Sequence, residues 1–335
     1  LHRFGPGKLL MLDRDESALL NVQLSIAGKP DLDSPNLLLC DIRDKRRLRE
    51  IFSEHHPDVV FHAAALKHVP LLESHPGEAV RTNVYGTLAM LEVSHMFGVE
   101  KFVNISTDKA ADPENVLGYS KRVAERLTAT FAGEGKGTFM SVRFGNVLGS
   151  RGSMLETFRH QIEQGGPLTV THPDITRFFM TIEEAVQLVI QAGAIGRDGE
   201  VLILDMGEPV RIRDVAERMA ARADREIEIV FTGLRKGEKM HEILFGADER
   251  GERREHPLIT HVPVPPLDPA RLSALDPVGP NPSLIAVFRN LCYPRDEAGD
   301  SYARPSPVSQ AGVMPGSEPT GGGAHVVSEP SREPL

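Results

Sequence analysis

Cysteine is scarce in this chain. Cys40 and Cys292 are the only two among 335 residues, far apart and in no Cys-x-x-Cys. Neither a disulfide framework nor a thiolate metal site is expected, and reduced thiols are. Thirteen histidines occur without His-Glu-x-x-His or a comparable spacing. His55, His56, His75 and His95 are therefore read as surface or structural, and no metal site is expected. No apolar run is long enough to span a bilayer, and no secretory leader is read, so the expected location is the cytoplasm. Basic charge is lacking too: the formal net charge is −9, unlike the basic footprint of a nucleic-acid binder. A last absence concerns the opening residues. "KLLML" before Asp13 reads as a buried parallel strand with an acid at its tip, the second strand of a dinucleotide-binding unit. The first strand and its glycine-rich turn are expected just ahead, and no Gly-x-Gly-x-x-Gly stands there. Either the chain is a fragment or the nucleotide-fold reading fails.

What is present alternates. Strand-like runs cover residues 36–42, 57–65 and 101–107, with another within 138–149. Helical patterns cover 44–55, 77–98 and 119–132. In the first of these helices Leu48, Ile51 and Phe52 share a face. Buried, non-alternating strands separated by helices predict a parallel sheet covered on both faces. After about residue 150 the pattern loosens into a helix over 181–195, a strand over 200–207 and a helix over 211–223, a smaller α+β portion. The expected division is a dinucleotide-binding domain at 1–150, a substrate-binding portion at 151–265, an extension at 266–295 and a Pro/Gly/Ser-rich disordered tail at 296–335.

In a parallel α/β sheet, sites form at the carboxyl tips of the strands. Those tips carry Asp13, Asp41 with Ile42, residues 63–68, residues 106–109 and residues 143–146. Asp108, Lys109 and Lys121 crowd one cleft in this arrangement. An isolated Asp-Lys neighbour pair is more often a loop salt bridge. At a strand tip, one loop ahead of a Ser-Lys helix, it reads as a proton-transfer pair.

The stretches "HAAALKHVPLLESHPGEAVRTNVYGT", "STDKAADPENVLGYSKRVAE", "RFGNVLGSRGSMLETFRHQIEQGGPLTVTHPDITRFFMTIEEAV", "LDMGEPVRI" and "TGLRKGEKMHEIL" resemble, in the same order, the UDP-N-acetylglucosamine 4,6-dehydratases of polysaccharide biosynthesis. These belong to the extended short-chain dehydrogenases. The resemblance covers roughly residues 8–265. It implies a Rossmann-like parallel sheet lacking its first strand and glycine turn here, with a smaller α+β portion.

In that superfamily a tyrosine four residues before the lysine is the usual base. Leu117 stands there, and Tyr119 is two residues too close to Lys121, turned to about the opposite helix face. Leu117 resembles the methionine of the long, configuration-retaining dehydratases in volume and in lacking a proton. The resemblance implies tightly bound NAD, with NADP as the other possibility. A hydride leaves carbon 4, water is eliminated across carbons 5 and 6, and the hydride returns at carbon 6. Asp108 matches the acid for the 6-hydroxyl, Lys109 the base at carbon 5, and Lys121 the lysine on the nicotinamide ribose. As a base, Lys109 is expected to have a depressed pKa, with Lys121 and the nicotinamide as the cations responsible. For the 4-hydroxyl proton, Thr107 or Ser106 relays it through water, or Asp108 accepts it.

Asp13 is matched to the adenosine ribose, with Arg14 beside it as the residue that would receive a 2′-phosphate. Asp41 and Ile42 flank the adenine, and Ala63, Ala64 and Ala65 let the cofactor lie against the strand tip. Lys67, Asn146, Arg177, Arg235 and Glu238 match contacts to the nucleotide sugar. A UDP-sugar and a second copy of the chain are the expected partners. A longer parent would carry membrane helices and sit on the cytoplasmic face of the inner membrane. An epimerase of the same superfamily and a non-catalytic nucleotide-sugar binder are the alternative readings.

Overall fold

The structure is a computed structural model that describes residues 1–29, 31–133, 137–150 and 152–293. The tail expected from residue 296 lies outside the described residues. β1 (Met11–Asp13) leads into α1 (Glu16–Ala27), β2 (Leu37–Leu39), α2 (Lys45–His55) and β3 (Val59–His62). A π-helical turn, Val80–Gly86, runs directly into α3 (Thr87–Met96), followed by β4 (Lys101–Ile105), α4 (Val116–Thr130) and β5 (Thr138–Arg143). α5 (Ile182–Ile195), β6 (Glu200–Leu204), β7 (Ile259–Pro263) and α6 (Asn281–Leu291) complete the frame.

The central sheet has five strands in the order β7-β6-β5-β4-β3. β3 to β6 are parallel and β7 runs antiparallel to β6. β1 and β2 form a separate parallel pair, and among the described residues neither is hydrogen-bonded to β3, the edge of the central sheet.

Alternating side chains in β4 and β5 build two cores, because neighbouring strand residues point to opposite faces. Phe102 and Phe139 stack at 5.6 Å on one face, with Leu48, Ile51 and Phe52 of α2, Leu91 of α3 and Leu127 of α4. Val103 and Met140 pack on the other against Leu188, Val189 and Ala192 of α5. A third cluster, with Phe158, Leu168, Ile175 and Ile212, forms the smaller portion. The expected helix at 119–132 begins earlier, at Val116, because Asn115 Oδ1 caps it by accepting from the Gly118 N–H at 2.8 Å. The expected helix at 77–98 is interrupted by the π turn, a distortion that often accompanies functional sites.

Residues 266–293 return to the first core. Leu267, Leu272, Leu284 and Phe288 join it. Arg126 of α4, 2% exposed, donates to the carbonyls of Pro265 at 3.0 Å, Pro266 at 2.8 Å and Leu291 at 2.7 Å. Arg126→Met strands those carbonyls. It is expected to destabilise the fold by about 3 kcal/mol, read as a lower urea midpoint.

Candidate active site

Two hollows lie end to end across the carboxyl tips of the parallel strands. The larger, about 410 Å³, is lined by Lys67, Ser106, Thr107, Lys109, Leu117, Lys121 and Asn146 among others. The smaller, about 200 Å³, is lined by Asp13, Arg14, Asp41, Ile42 and Ala64. Ala63, Ala65 and Leu66 line both, so the two form one trough.

β4 ends at Ile105, and Thr107 caps a single 3₁₀ turn, Asp108–Ala110. Gly118 allows that turn to seat on α4, since a Cβ there would overlap the Lys109 carbonyl. Asp108 is fully buried. Its Oδ1 accepts from Thr107 Oγ1 at 2.9 Å and from Lys109 Nζ at 3.0 Å. Its Oδ2 is buried with no hydrogen-bond partner. Lys109 Nζ lies 3.6 Å from Glu242 Oε1 and 3.5 Å from Asn146 Oδ1.

Glu242, which the sequence reading did not single out, is 6% exposed, and its Oε2 is also buried without a partner. Its segment is clamped over the site by Lys239, whose ammonium donates to the carbonyls of Ala111 at 3.0 Å and Asp112 at 2.7 Å. Only the neighbouring "GEK" motif hints at this role in the sequence.

These carboxylates correct the expected electrostatics of Lys109. Burial pulls its pKa down, but Asp108 and Glu242 outweigh burial and hold it above the ordinary lysine value. The resting Lys109 is a cation. Glu242→Gln removes one carboxylate, so the Lys109 ammonium is expected to titrate at lower pH. Proton–carbon NMR of lysine-labelled protein reads that shift directly.

Lys121 is the opposite case. It is 5% exposed and forms no hydrogen bond or close ion pair among the described residues. Burial lowers its pKa to about 8, opposed by Glu125 one turn on. Glu125 pairs elsewhere. It accepts from Arg143 at 2.7 and 3.0 Å, from Arg122 at 3.0 Å and from Ser106 Oγ at 2.6 Å. Leu117 faces the same hollow as Lys121. Tyr119 points away, its ring under the Arg289 guanidinium at 5.9 Å.

At the other end, Asp13 Oδ1 accepts from the Asp15 N–H at 3.0 Å. Asp41 is forked by Arg43 at 2.6 to 3.0 Å and lies 3.7 Å from Arg14. Hydrogen bonds from Arg43, which the sequence reading did not anticipate, hold the Asp41 carboxyl below its usual range. Asn83, fully buried on the π turn, fixes the strand tip. Its Oδ1 accepts from the Leu66 N–H at 2.8 Å and its Nδ2 donates to the Leu66 carbonyl at 2.9 Å. The trough fits a dinucleotide: acids at one end, small alanines in the middle, an unpartnered ammonium at the other.

Lys67 and Asn146 line the larger hollow, whereas Arg177, Arg235 and Glu238 line neither. The Arg177 guanidinium donates to the carbonyls of Thr176 at 2.7 Å and Met240 at 3.3 Å and to Glu238 Oε1 at 3.2 Å. Glu238 also accepts from the Arg235 N–H at 3.1 Å, and Arg235 is exposed. With their polar groups used internally, Arg177 and Glu238 secure the segment that carries Glu242.

The profile of a family described as polysaccharide biosynthesis protein matches residues 1–264. Capsular polysaccharide biosynthesis protein CapD of Staphylococcus aureus is 45% identical over 74% of this chain and 42% of its own length. The chain thus spans less than half of that relative. A UDP-N-acetylglucosamine 4,6-dehydratase (inverting) of Campylobacter jejuni is 33% identical over 74% of this chain and 72% of its own. The X-ray structure of Pen from Bacillus thuringiensis superposes with a TM-score of 0.71 at 35% identity, covering 78% of this chain and 82% of that one. UDP-glucose 4-epimerases also match. Among the described residues no helix is long and apolar enough to cross a membrane.

Proposed function

The chain belongs to the polysaccharide biosynthesis protein family, and from that premise we propose that it dehydrates UDP-N-acetylglucosamine to the 4-keto-6-deoxy sugar. Asp13, Asp41 and Ile42 would hold the adenosine end of a nicotinamide dinucleotide, and Lys121 its other ribose. The Asp13 carboxylate favours NAD over NADP, and Arg14, turned toward Asp41, does little to reverse that preference. When bound, the nicotinamide supplies the hydride acceptor and donor of an internal redox cycle.

The observation that carries the reading is the buried Asp108–Lys109 pair. One proton moved along its 3.0 Å hydrogen bond turns the ion pair into a neutral acid beside a neutral amine. Asp108 then has a proton for the leaving 6-hydroxyl, and Lys109 has a lone pair for the proton on carbon 5. The two jobs of an elimination are readied by a single shift. Interconverting two epimers at carbon 4 requires no proton transfer at carbon 5, so a buried acid–amine pair has no assignment under an epimerase reading. Asn146 near Lys109, and Lys67 in the same hollow, are suited to hold the sugar and its phosphates.

The test is to incubate the protein with NAD and UDP-N-acetylglucosamine and weigh the nucleotide sugar by mass spectrometry. Loss of one water supports the dehydratase. An unchanged mass with altered configuration at carbon 4 would favour the epimerase. Binding without either change would favour the non-catalytic reading.

A further inference from the structure

On the dehydratase reading, oxidation at carbon 4 requires some group to take the proton of the 4-hydroxyl. We propose that this group is the ε-amino nitrogen of Lys121. The neighbouring candidates are committed. Ser106 Oγ donates its proton to Glu125 at 2.6 Å. Thr107 Oγ1 donates to Asp108 Oδ1 at 2.9 Å, so a relay through it ends on a carboxylate already paired with an ammonium, a weak base. Lys109, at rest a cation between two carboxylates, is committed to the proton on carbon 5. Leu117 has no proton chemistry. His62, the imidazole at the tip of β3, does not line the hollow and is bonded to Thr87 Oγ1 at 2.9 Å.

Lys121 is poised by its surroundings. It lies one helical turn after Leu117, on the face toward the hollow. Its natural helix partner, Glu125, is drawn off by Arg143 and Arg122. Of the other titratable groups nearby, His62 is held neutral, burial pushing its pKa down to about 3. The Asp108–Lys109 pair carries no net charge. Only Glu125, already held by two arginines, partly offsets the cost of burying the Lys121 charge, and the neutral amine is accessible near pH 8.

The step balances. The O–H bond breaks and an N–H bond forms at Lys121 Nζ, while the C–H electron pair would be taken as hydride by a bound nicotinamide. The proton collected at Lys121 passes to solvent and replaces the one that Asp108 gives to the departing hydroxyl. One water is lost overall.

A titration and two variants test this. In an NMR titration of lysine-labelled protein without ligands, the signal absent from Lys121→Arg is expected to titrate below the ordinary lysine range. A signal that titrates with the surface lysines overturns the proposal, whatever the reaction catalysed. Lys121→Arg keeps a cation but cannot release its proton. Its dinucleotide affinity, by calorimetry, is expected to be retained while dehydration falls at least about 100-fold. In Lys121→Ala, added ethylamine is expected to restore turnover in proportion to the free amine. Rescue proportional to the ammonium instead, or near-parental turnover in Lys121→Arg, reduces Lys121 to a ribose holder. No water loss by the unaltered protein would sink the dehydratase reading itself, while the titration still decides whether Lys121 has the chemistry of a base.

Discussion

Lys109→Met is expected to abolish dehydration, with turnover falling by a factor of about 10³ to 10⁴ while dinucleotide and nucleotide sugar still bind. Methionine keeps the apolar stem of the side chain and removes its nitrogen. On the proposed mechanism the proton shared along the 3.0 Å bond to Asp108 then has no donor, and carbon 5 has no base. The substitution also leaves Asp108 and Glu242 as buried carboxylates without their shared cation, so some loss of stability accompanies it. Asp108→Asn in the same chain removes one of those charges. The double variant is expected to recover melting temperature but no activity. That separates lost chemistry from lost fold. Turnover within tenfold of the parent in Lys109→Met would remove Lys109 from the mechanism.

Arg143→Met is expected to destabilise the fold by about 3–5 kcal/mol, a large share of the roughly 5–15 kcal/mol that holds a typical protein folded. Arg143 is fully buried at the end of β5. It donates to Glu125 at 2.7 and 3.0 Å and to Glu249 at 3.0 Å, with a shorter bond of 2.6 Å to the other Glu249 oxygen. Removing the guanidinium leaves two buried carboxylates with only the Arg122 cation between them. Adding Glu125→Gln and Glu249→Gln is expected to restore most of the loss, because neutral amides are far cheaper to bury than unpaired charges. Urea unfolding of the set measures this.

The same network sets an acid limit. Burial pushes the Glu249 carboxyl up, but Arg143 outweighs it and holds the pKa at about 2; Glu125 is lowered for the same reasons. Both release their protons more readily in the fold than in the open chain. Their stabilisation is complete above the ordinary glutamate value of about 4.3 and is lost as pH falls through the folded value. Acid unfolding followed by circular dichroism is expected in that window, and shifted to higher pH in Arg143→Met.

Much of the site was legible in the chain because it is local. Asp108, Lys109 and Lys121 sit on one strand-turn-helix unit, and helical geometry alone turns Leu117 toward Lys121 and Tyr119 away. The strand tips, with Asp13, Asp41 and Ala63 to Ala65, follow from the parallel alternation. What escaped was long-range. Glu242 reaches Lys109 only because Lys239 and Arg177 dock its segment, and no local pattern encodes that docking. The expected depression of the Lys109 pKa failed because Asp108, together with Glu242 that the sequence did not reveal, outweighs burial. Arg177 and Glu238 carry internal partners that the sequence does not announce, since only the fold brings Met240 and Glu238 to the Arg177 guanidinium. Likewise Arg126, on which no sequence expectation was placed, is buried by a segment that returns from the far end of the chain.

The most direct test is to run the reaction of UDP-N-acetylglucosamine and NAD in heavy water and follow the sugar by proton NMR. The Asp108–Lys109 account predicts a 4-keto-6-deoxy product carrying deuterium at carbon 5, and no such product from Lys109→Met. A product whose carbon 5 keeps its original proton, or deuterium incorporation that survives in Lys109→Met, would contradict it.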